Sequence, residues 1–586
     1  MKTMSHRSWV LVVALALGAC VVQRDQEQRT AQDPEPRSAA ADAAASAQAE
    51  KKARRALEQQ RAHERVRAPA GAPVLISAPA PAAELASCCW GPPTITERYQ
   101  SFDDNPVKLA AEQPVSTFSI DVDTGAYANV RRFLSSGRLP PQDAVRVEEL
   151  INYFDYDYAP PATREVPFSV TTDLARAPWN SDAVLLRIGI KGFEVPARER
   201  PAANLVFLVD VSGSMNSPDK LPLLKNAFRL LTEQLTERDR VALVAYAGAS
   251  GVVLEPTPGS EKHKILEAIG RLEAGGTTNG AAGIEQAYQL ARAAFIDGGI
   301  NRVVLATDGD FNVGLVDFDA LVGMVERERK SGVALTTLGF GTGNYNDRLL
   351  ERLADAGNGN YAYIDNLTEA RKVLVQELSS TLLTIAHDVK IQVEFNPAEV
   401  LEYRLIGYEN RMLARADFNN DGVDAGEIGA GHRVTALYEI VPVGAKGRVD
   451  PLRYGTRQAA SAPRGELAYL RVRYKLPGED ASKVIEHPIR SAAVPEAAQA
   501  SADFCFAMGV AAFGQLLRGG KYMERFGYRD AQQLVEAGLA NDRHGYRREL
   551  VALIELAASL AGERVSDSKP STNTLQERGN RHDARP

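Results

Sequence analysis

A chain of 586 residues with 45% hydrophobic content is long enough for two to four domains. Its net charge of −7 argues against nucleic-acid binding, and eight scattered histidines without HExxH or C-x-x-C spacing argue against a zinc site. Four cysteines, Cys20, Cys88, Cys89 and Cys505, are too few for a disulfide framework.

Lys2 and Arg7 precede an apolar run, Trp9 to Leu17, that is too short to span a bilayer as a mature helix. The run ends in Leu17-Gly18-Ala19-Cys20. The pattern resembles a bacterial lipoprotein signal peptide over residues 1–19, with Cys20 as the lipidated first residue of the mature chain. An acylated cysteine attaches a protein to a membrane without a spanning helix. Val22, in place of an aspartate two residues after Cys20, implies by the same resemblance the outer membrane, facing the periplasm. Residues 20–95 are rich in Ala, Gln, Glu, Arg and Pro and read as a disordered tether. Cys88 and Cys89 leave open an intermolecular disulfide or a link to Cys505, although the apolar setting of Cys505 favours a buried, inert thiol.

An N-terminal segment covers residues 96–165. Ser116 to Thr124 reads as a strand ending in Asp121 and Asp123, with a helix following through Phe133. Those acids imitate a metal motif but lack a second hydroxyl at the right spacing, so their role reads as structural. Val147, Leu150, Ile151 and Phe154 fall on one helical face. Residues 166–202 alternate apolar and polar positions, with Val184, Leu186, Ile188 and Ile190 at period two, as in a half-buried antiparallel strand.

Between residues 203 and 383 strands and helices alternate. Leu205 to Val209 is a continuous apolar run, the mark of a fully buried parallel strand. Leu221, Leu224, Phe228, Leu231 and Leu235 form the stripe of the next helix. Further strands are predicted at 241–246, 251–254 (a short edge), 302–306, 334–340 and 360–364, and a last helix at 368–385. Such alternation predicts an α/β fold with a doubly wound, Rossmann-like parallel sheet covered on both faces. Period-two strands return at 389–395, 434–440 and 466–474, within a region of 386–495. Together with those before residue 200, they predict a β-sandwich into which the α/β unit is inserted, with direct pairing between 183–193 and part of 388–475. Residues 498–562 read as a C-terminal helical region and 563–586 as a disordered tail.

The buried strand at 205–209 runs into Asp210-Val211-Ser212-Gly213-Ser214. Three oxygen groups then stand at the carboxyl end of a central strand, where open α/β sheets bind ligands. Hard oxygen donors suit Mg²⁺, Mn²⁺ or Ca²⁺; the plainer alternative is a loop with serine as a helix cap. Two further loops reach the same end, Gly275-Gly276-Thr277-Thr278-Asn279-Gly280 and Thr307-Asp308-Gly309. The three in this order resemble the metal-ion-dependent adhesion site of von Willebrand factor type A domains. The resemblance implies metal ligation by Asp210, Ser212, Ser214, Thr278 (with Thr277 as the near alternative) and Asp308. It further implies a divalent cation, Mg²⁺ or else Mn²⁺ or Ca²⁺, that binds an acidic side chain of a protein partner. The stretches Phe118 to Leu134, Glu148 to Phe154 and Asp417 to His432 resemble the flanking parts of bacterial lipoproteins that carry this domain.

Asp417, Asn419, Asp421 and Gly422 also fit the first half of an EF-hand loop. Position 12, however, is Ile428, and Glu427 falls one short, so a polar turn between sandwich strands is the better reading. No phosphate loop is present, since Gly519-Gly520-Lys521 is not followed by Ser or Thr. The expectation is therefore a lipid-anchored, non-enzymatic envelope protein that binds a protein or peptide through a divalent cation. The alternatives are a structural envelope protein without a metal-dependent ligand, or a hydrolase.

Overall fold

The computed structural model describes residues 96–120, 123–276, 280–309, 318–450, 465–491 and 494–563. The residues read as signal peptide (1–19) and tether (20–95), with Cys20, Cys88 and Cys89, and residues 564–586 of the expected tail lie outside the described residues.

In chain order, strands β1 (Lys108–Leu109) and β2 (Val115–Ser119) lead to helices α1 (Gly125–Ser135) and α2 (Val147–Asn152) and to the long strands β3 (Phe168–Arg176) and β4 (Val184–Gly192). The α/β unit follows, with β5 (Ala203–Asp210), α3 (Leu221–Gln234), β6 (Arg240–Tyr246), β7 (Ser250–Pro258), α4 (Lys262–Gly270), α5 (Gly280–Ala293) and β8 (Ile300–Thr307). It continues through α6 (Phe318–Glu328), β9 (Ala334–Phe340), α7 (Asp347–Ala356), β10 (Tyr361–Ile364), α8 (Leu367–Arg371) and α9 (Leu378–Leu382). Strands β11 (Thr384–Phe395), β12 (Val400–Ile406), β13 (Gly426–Gly429), β14 (Arg433–Pro442), β15 (Glu466–Lys475) and β16 (Ser482–Arg490) come next, and helices α10 (Ala502–Leu517), α11 (Tyr528–Ala537) and α12 (Tyr546–Leu560) close the chain.

The α/β sheet has the order β10-β9-β8-β5-β6-β7. All its pairs are parallel except the edge strand β7, which is antiparallel to β6 and longer than its sequence suggested. β5 is buried along its whole length because helices cover both faces. Leu205, Phe207 and Val209 face the α3 and α4 layer, where the Phe207 and Phe228 rings stack at 4.2 Å. Val206 and Leu208 face the α5 and α7 layer with Ile284 and Leu353. Burying one such side chain is worth about 1.5–3 kcal/mol, so the five-residue apolar run is enough to fix β5 at the centre.

The expected pairing across the insertion is present, since β4 runs antiparallel to β14 over eight residue pairs, from Lys191 opposite Arg433 to Val184 opposite Ile440. One sheet has the order β1-β12-β14-β4-β3, and the other joins β13, β11, β15 and β16 with β2 beside β11. Phe118, Ile188, Ile391 and Tyr438 all lie in the shared interior. The N-terminal segment is thus not separate from the sandwich, because β1 and β2 are strands of it. β4 also departs from the half-buried expectation. Its outer face is covered by a helical layer of α1, α2, α10, α11 and α12, so that Leu185 joins the helical core and Arg187 packs under the Phe504 ring at 4.8 Å. This layer explains why α10 is apolar all round, from Phe504 to Phe513. Cys505 is free and buried there, with its thiol 3.2 Å from the Ala497 carbonyl.

The single helix predicted over 368–385 is instead broken. A π-helical turn spans Lys372–Gln376, α9 ends at Leu382, and Ile385 already belongs to β11. The wider turn lets the buried Lys372 lie 4.2 Å over the Tyr153 ring and reach Glu377 at 2.6 Å.

The turn between β13 and β14 carries a pH-sensitive group. Nδ1 of His432 accepts the Gly429 N–H at 3.0 Å. Burial, together with the charges of Lys372, Lys191 and Arg433, pushes the imidazole down to about 3. The folded ring stays neutral where the unfolded one, near 6.5, takes a proton. Its contribution is therefore complete above about pH 6.5 and is lost as pH falls toward about 3. With a discount for the ring's partial exposure, that loss is about 2 kcal/mol. His432→Asn keeps an acceptor for Gly429 and is expected to flatten the urea midpoint across this window; an unchanged acid slope would refute the assignment.

Candidate metal centre

The site is built on the carboxyl ends of β5 and β8, the neighbouring strands from which the chain departs in opposite directions across the sheet. Asp210, the last residue of β5, is fully buried. Its Oδ1 accepts the Ser212 N–H at 2.9 Å and its Oδ2 accepts the Thr307 hydroxyl at 2.8 Å. The Tyr246 hydroxyl, from β6, lies against the same pair. The carboxylate is thereby held from three adjacent strands.

Ser212 and Ser214 follow in a 3₁₀ turn, Gly213–Asn216. Ser212 stands at the cap position, but its side chain makes no capping bond. Its hydroxyl is instead 3.1 Å from that of Ser214. The capping alternative is thus not what this loop does. Two hydroxyls meeting beside a buried carboxylate present a compact set of hard donors.

The third loop docks on the first. Gly275 N–H donates to the Val211 carbonyl at 2.7 Å, and Gly213 N–H to the Gly276 carbonyl at 3.1 Å. Thr277, Thr278 and Asn279 lie outside the described residues; the chain resumes at Gly280 with α5. Asp308, just after β8, is also fully buried. Four of the five residues singled out in the sequence, Asp210, Ser212, Ser214 and Asp308, therefore belong to one end of the sheet.

The electrostatics of this end favour a cation. Burial, reinforced by the charge of Asp308, pushes the Asp210 carboxyl up to about 6, against the opposing hydrogen bonds of Ser212 and Thr307. A cation beside the pair would restore full ionisation. The oxygen-only donors fit Mg²⁺, which prefers octahedral geometry and keeps waters. Among the described residues no three His, Cys, Asp or Glu side chains gather as a metal cluster, so an ion here would depend on the hydroxyls.

One participant was not foreseen from sequence. Lys220, immediately before α3, is buried, and its Nζ lies 2.9 Å from Asp308 Oδ2 and 2.7 Å from Asn344 Oδ1. Asn344 Nδ2 donates to the same Asp308 oxygen at 3.1 Å. Gly341 makes room for the lysine: a Cβ there would lie 2.3 Å from Lys220 Cε, and its φ of +80° suits glycine. The only sequence signal was a lysine just ahead of an apolar stripe, which reads as a solvated helix start.

Of the first imitation, Asp121 lies outside the described residues and Asp123 serves the structure. Asp123 accepts the Tyr361 N–H at 2.9 Å and pairs with Arg411 at 3.3 Å. In the loop resembling an EF-hand, the Lys390 ammonium donates to the carbonyls of Asp417 and Asn420 at 3.1 and 2.5 Å, and Arg473 pairs with Asp421 at 2.9 Å. Protein cations thus cross-link this turn from within.

Comparison with known proteins agrees with this architecture. Family models match for von Willebrand factor over residues 93–187, for the von Willebrand factor type A domain over 204–377, and for "Uncharacterized protein YfbK, C-terminal" over 380–560. YfbK of Escherichia coli K12 is 50% identical over 470 residues, which is 79% of this chain and 81% of that protein. The sll0103 protein of Synechocystis is 32% identical over 205 residues, 34% of this chain and 48% of that protein. Among solved structures, a von Willebrand factor type A protein from Catenulispora acidiphila aligns with a TM-score of 0.37 and 16% identity over 65% of this chain and 89% of its own. With strands before and after the α/β unit matched as well as the unit itself, the chain belongs to the bacterial von Willebrand factor type A domain proteins of the YfbK family.

Proposed function

We propose that this chain is a cell-envelope lipoprotein, anchored through Cys20 at the outer membrane and facing the periplasm, that captures a protein or peptide partner through a divalent cation. Asp210, Ser212, Ser214, Thr278 and Asp308 would hold the ion, preferably Mg²⁺, and an acidic side chain of the partner would complete its shell. The protein acts as a binder and not as an enzyme. The observation that carries this reading is the meeting of the Ser212 and Ser214 hydroxyls, 3.1 Å apart, beside the buried Asp210. Hydroxyls contribute no charge, so an ion held largely by them stays electrophilic toward an external carboxylate. The test is capture from envelope extracts in Mg²⁺ and in EDTA. Specific partners are expected in Mg²⁺ alone; the same partners retained in EDTA would defeat the proposal.

One observation favours a second reading, a structural protein without metal, because Lys220 already supplies a cation to Asp308. Lys220→Met separates the two. Under the metal reading, the variant loses about 1–3 kcal/mol without metal, having left Asp308 without its ammonium, and recovers much of it when Mg²⁺ is added. Under the metal-free reading, Mg²⁺ leaves the thermal midpoint of the variant where it was.

A further inference from the structure

Seven arginines are buried among the described residues. Arg131, Arg146, Arg187, Arg200, Arg404 and Arg547 each sit on a carboxylate within 2.8 Å. Arg302 does not. It lies near the amino end of the interior strand β8, 2% exposed, at the end of the sheet away from Asp308. Its Nη1 donates to the Thr336 hydroxyl at 2.6 Å and its Nη2 reaches the Leu382 carbonyl at 3.5 Å. Its Nε has no hydrogen-bond partner among the described residues. Leaving a buried charge without a counterion is costly, and such groups are normally paired.

Arg302 lines a cavity of about 670 Å³ between the base of the α/β sheet and the sandwich. Arg164, Arg329 and His387 line it too, against a single acid, Glu479. Arg164 and Arg329 already have carboxylates, Glu199 at 2.9 Å and Asp424 at 2.5 Å. Nδ1 of His387 has no hydrogen-bond partner among the described residues, with Glu427 Oε1 no nearer than 3.9 Å. His387 thus leans on Glu427, and the lining is cationic with one donor, Arg302 Nε, to spare.

We propose that this cavity is an anion-binding site in which the Arg302 guanidinium receives a carboxylate or phosphate group of a small molecule. A planar guanidinium matches either group, and a charge-assisted bond in a buried setting is among the stronger polar contacts. Burial pushes Arg302 down to about 10 against the opposing charge of Glu427, and a bound anion would supply a direct counter-charge. Leu382 and Leu383 lie in the same wall, where the chain leaves the α/β unit for β11. The ligand would thus brace the base of the unit against the sandwich.

The experiment is calorimetric titration of the full chain, freed of divalent ions and of chelator beforehand, with inorganic phosphate and separately with succinate. Saturable binding of at least one is expected. Binding of phosphate alone would assign a phosphate-bearing ligand, and of succinate alone a carboxylate. Arg302→Met is expected to weaken it at least about tenfold. Arg164→Gln, at an exposed position that does not endanger folding, is expected to weaken it about threefold through loss of rim charge. Absence of saturable binding to the unaltered chain overturns the proposal, as does binding that Arg164→Gln and a folded Arg302→Met both leave unchanged.

Discussion

Asp210→Ala is expected to lower Mg²⁺ affinity at least about a hundredfold, or ~3 kcal/mol, while leaving the fold intact. The loss follows from position. Asp210 is held by bonds from Ser212 and Thr307 and sits beside the paired serine hydroxyls, so no other carboxylate can move into its place. The effect on stability in EDTA is smaller because two contributions oppose each other. Ser212 N–H and the Thr307 hydroxyl lose an acceptor, at about 1–2 kcal/mol. Against that, a buried carboxyl pushed up to about 6 is removed, and it cost comparable stability at neutral pH. Calorimetric titration with Mg²⁺ and a urea melt in EDTA check both halves. Equal ion uptake by the variant and the unaltered protein would remove Asp210 from the ligand set.

Arg146→Met is expected to cost about 3–5 kcal/mol. Arg146 is completely buried between α2 and α7. It pairs with Glu149, with Asp347 at 2.6 Å and with Glu351 at 3.7 Å. Glu351 already stands at about 8, burial outweighing the help of Arg146 and Arg411. Without the guanidinium, Glu149 and Asp347 lose their ion-pair partner and Glu351 keeps only Arg411, at 3.4 Å. The damage should centre where the N-terminal segment meets the α/β unit, because Glu149 also accepts the Ala126 N–H at 2.7 Å and Asp347 the Tyr361 hydroxyl at 2.5 Å. The sign with pH is definite. In the variant Glu351, already above its unfolded value, loses one of the two cations that hold it down and shifts further up, so stability falls as pH rises and the deficit narrows in acid. Urea unfolding across a range of pH measures this, and a deficit below about 1 kcal/mol would mean that the cluster is not acting as a buried pair.

The parts legible in sequence are those whose physics is local. A short apolar run, rich in branched and aromatic residues and ending in a glycine-containing turn, reads as a strand buried on both faces, and Leu205 to Val209 is one. Strands of period two on both sides of an α/β unit need each other to bury their faces, which is why 183–193 could be expected to pair within 388–475, although not that β14 would be the partner. What escaped depends on encounters between distant residues. Lys220 has the same neighbours in sequence whether it is solvated or lies on Asp308. The break at Lys372–Gln376 answers to Tyr153, and the outer burial of β4 answers to α10, more than 300 residues later. Thr278, read from its loop motif, lies outside the described residues, although the Gly275 and Gly276 bonds bring its loop onto that of Ser212.

The insertion has a mechanical consequence. The α/β unit is joined to the sandwich at its base, through the segment between β4 and β5 and through that between α9 and β11. A pull applied at Asp210 and Asp308 runs lengthwise along β5 and β8, whose hydrogen bonds are then loaded in shear all at once and not unzipped one by one. From the base the tension divides, because β4 lies in one sheet of the sandwich and β11 in the other. Two separate hydrogen-bonded ladders therefore share the load.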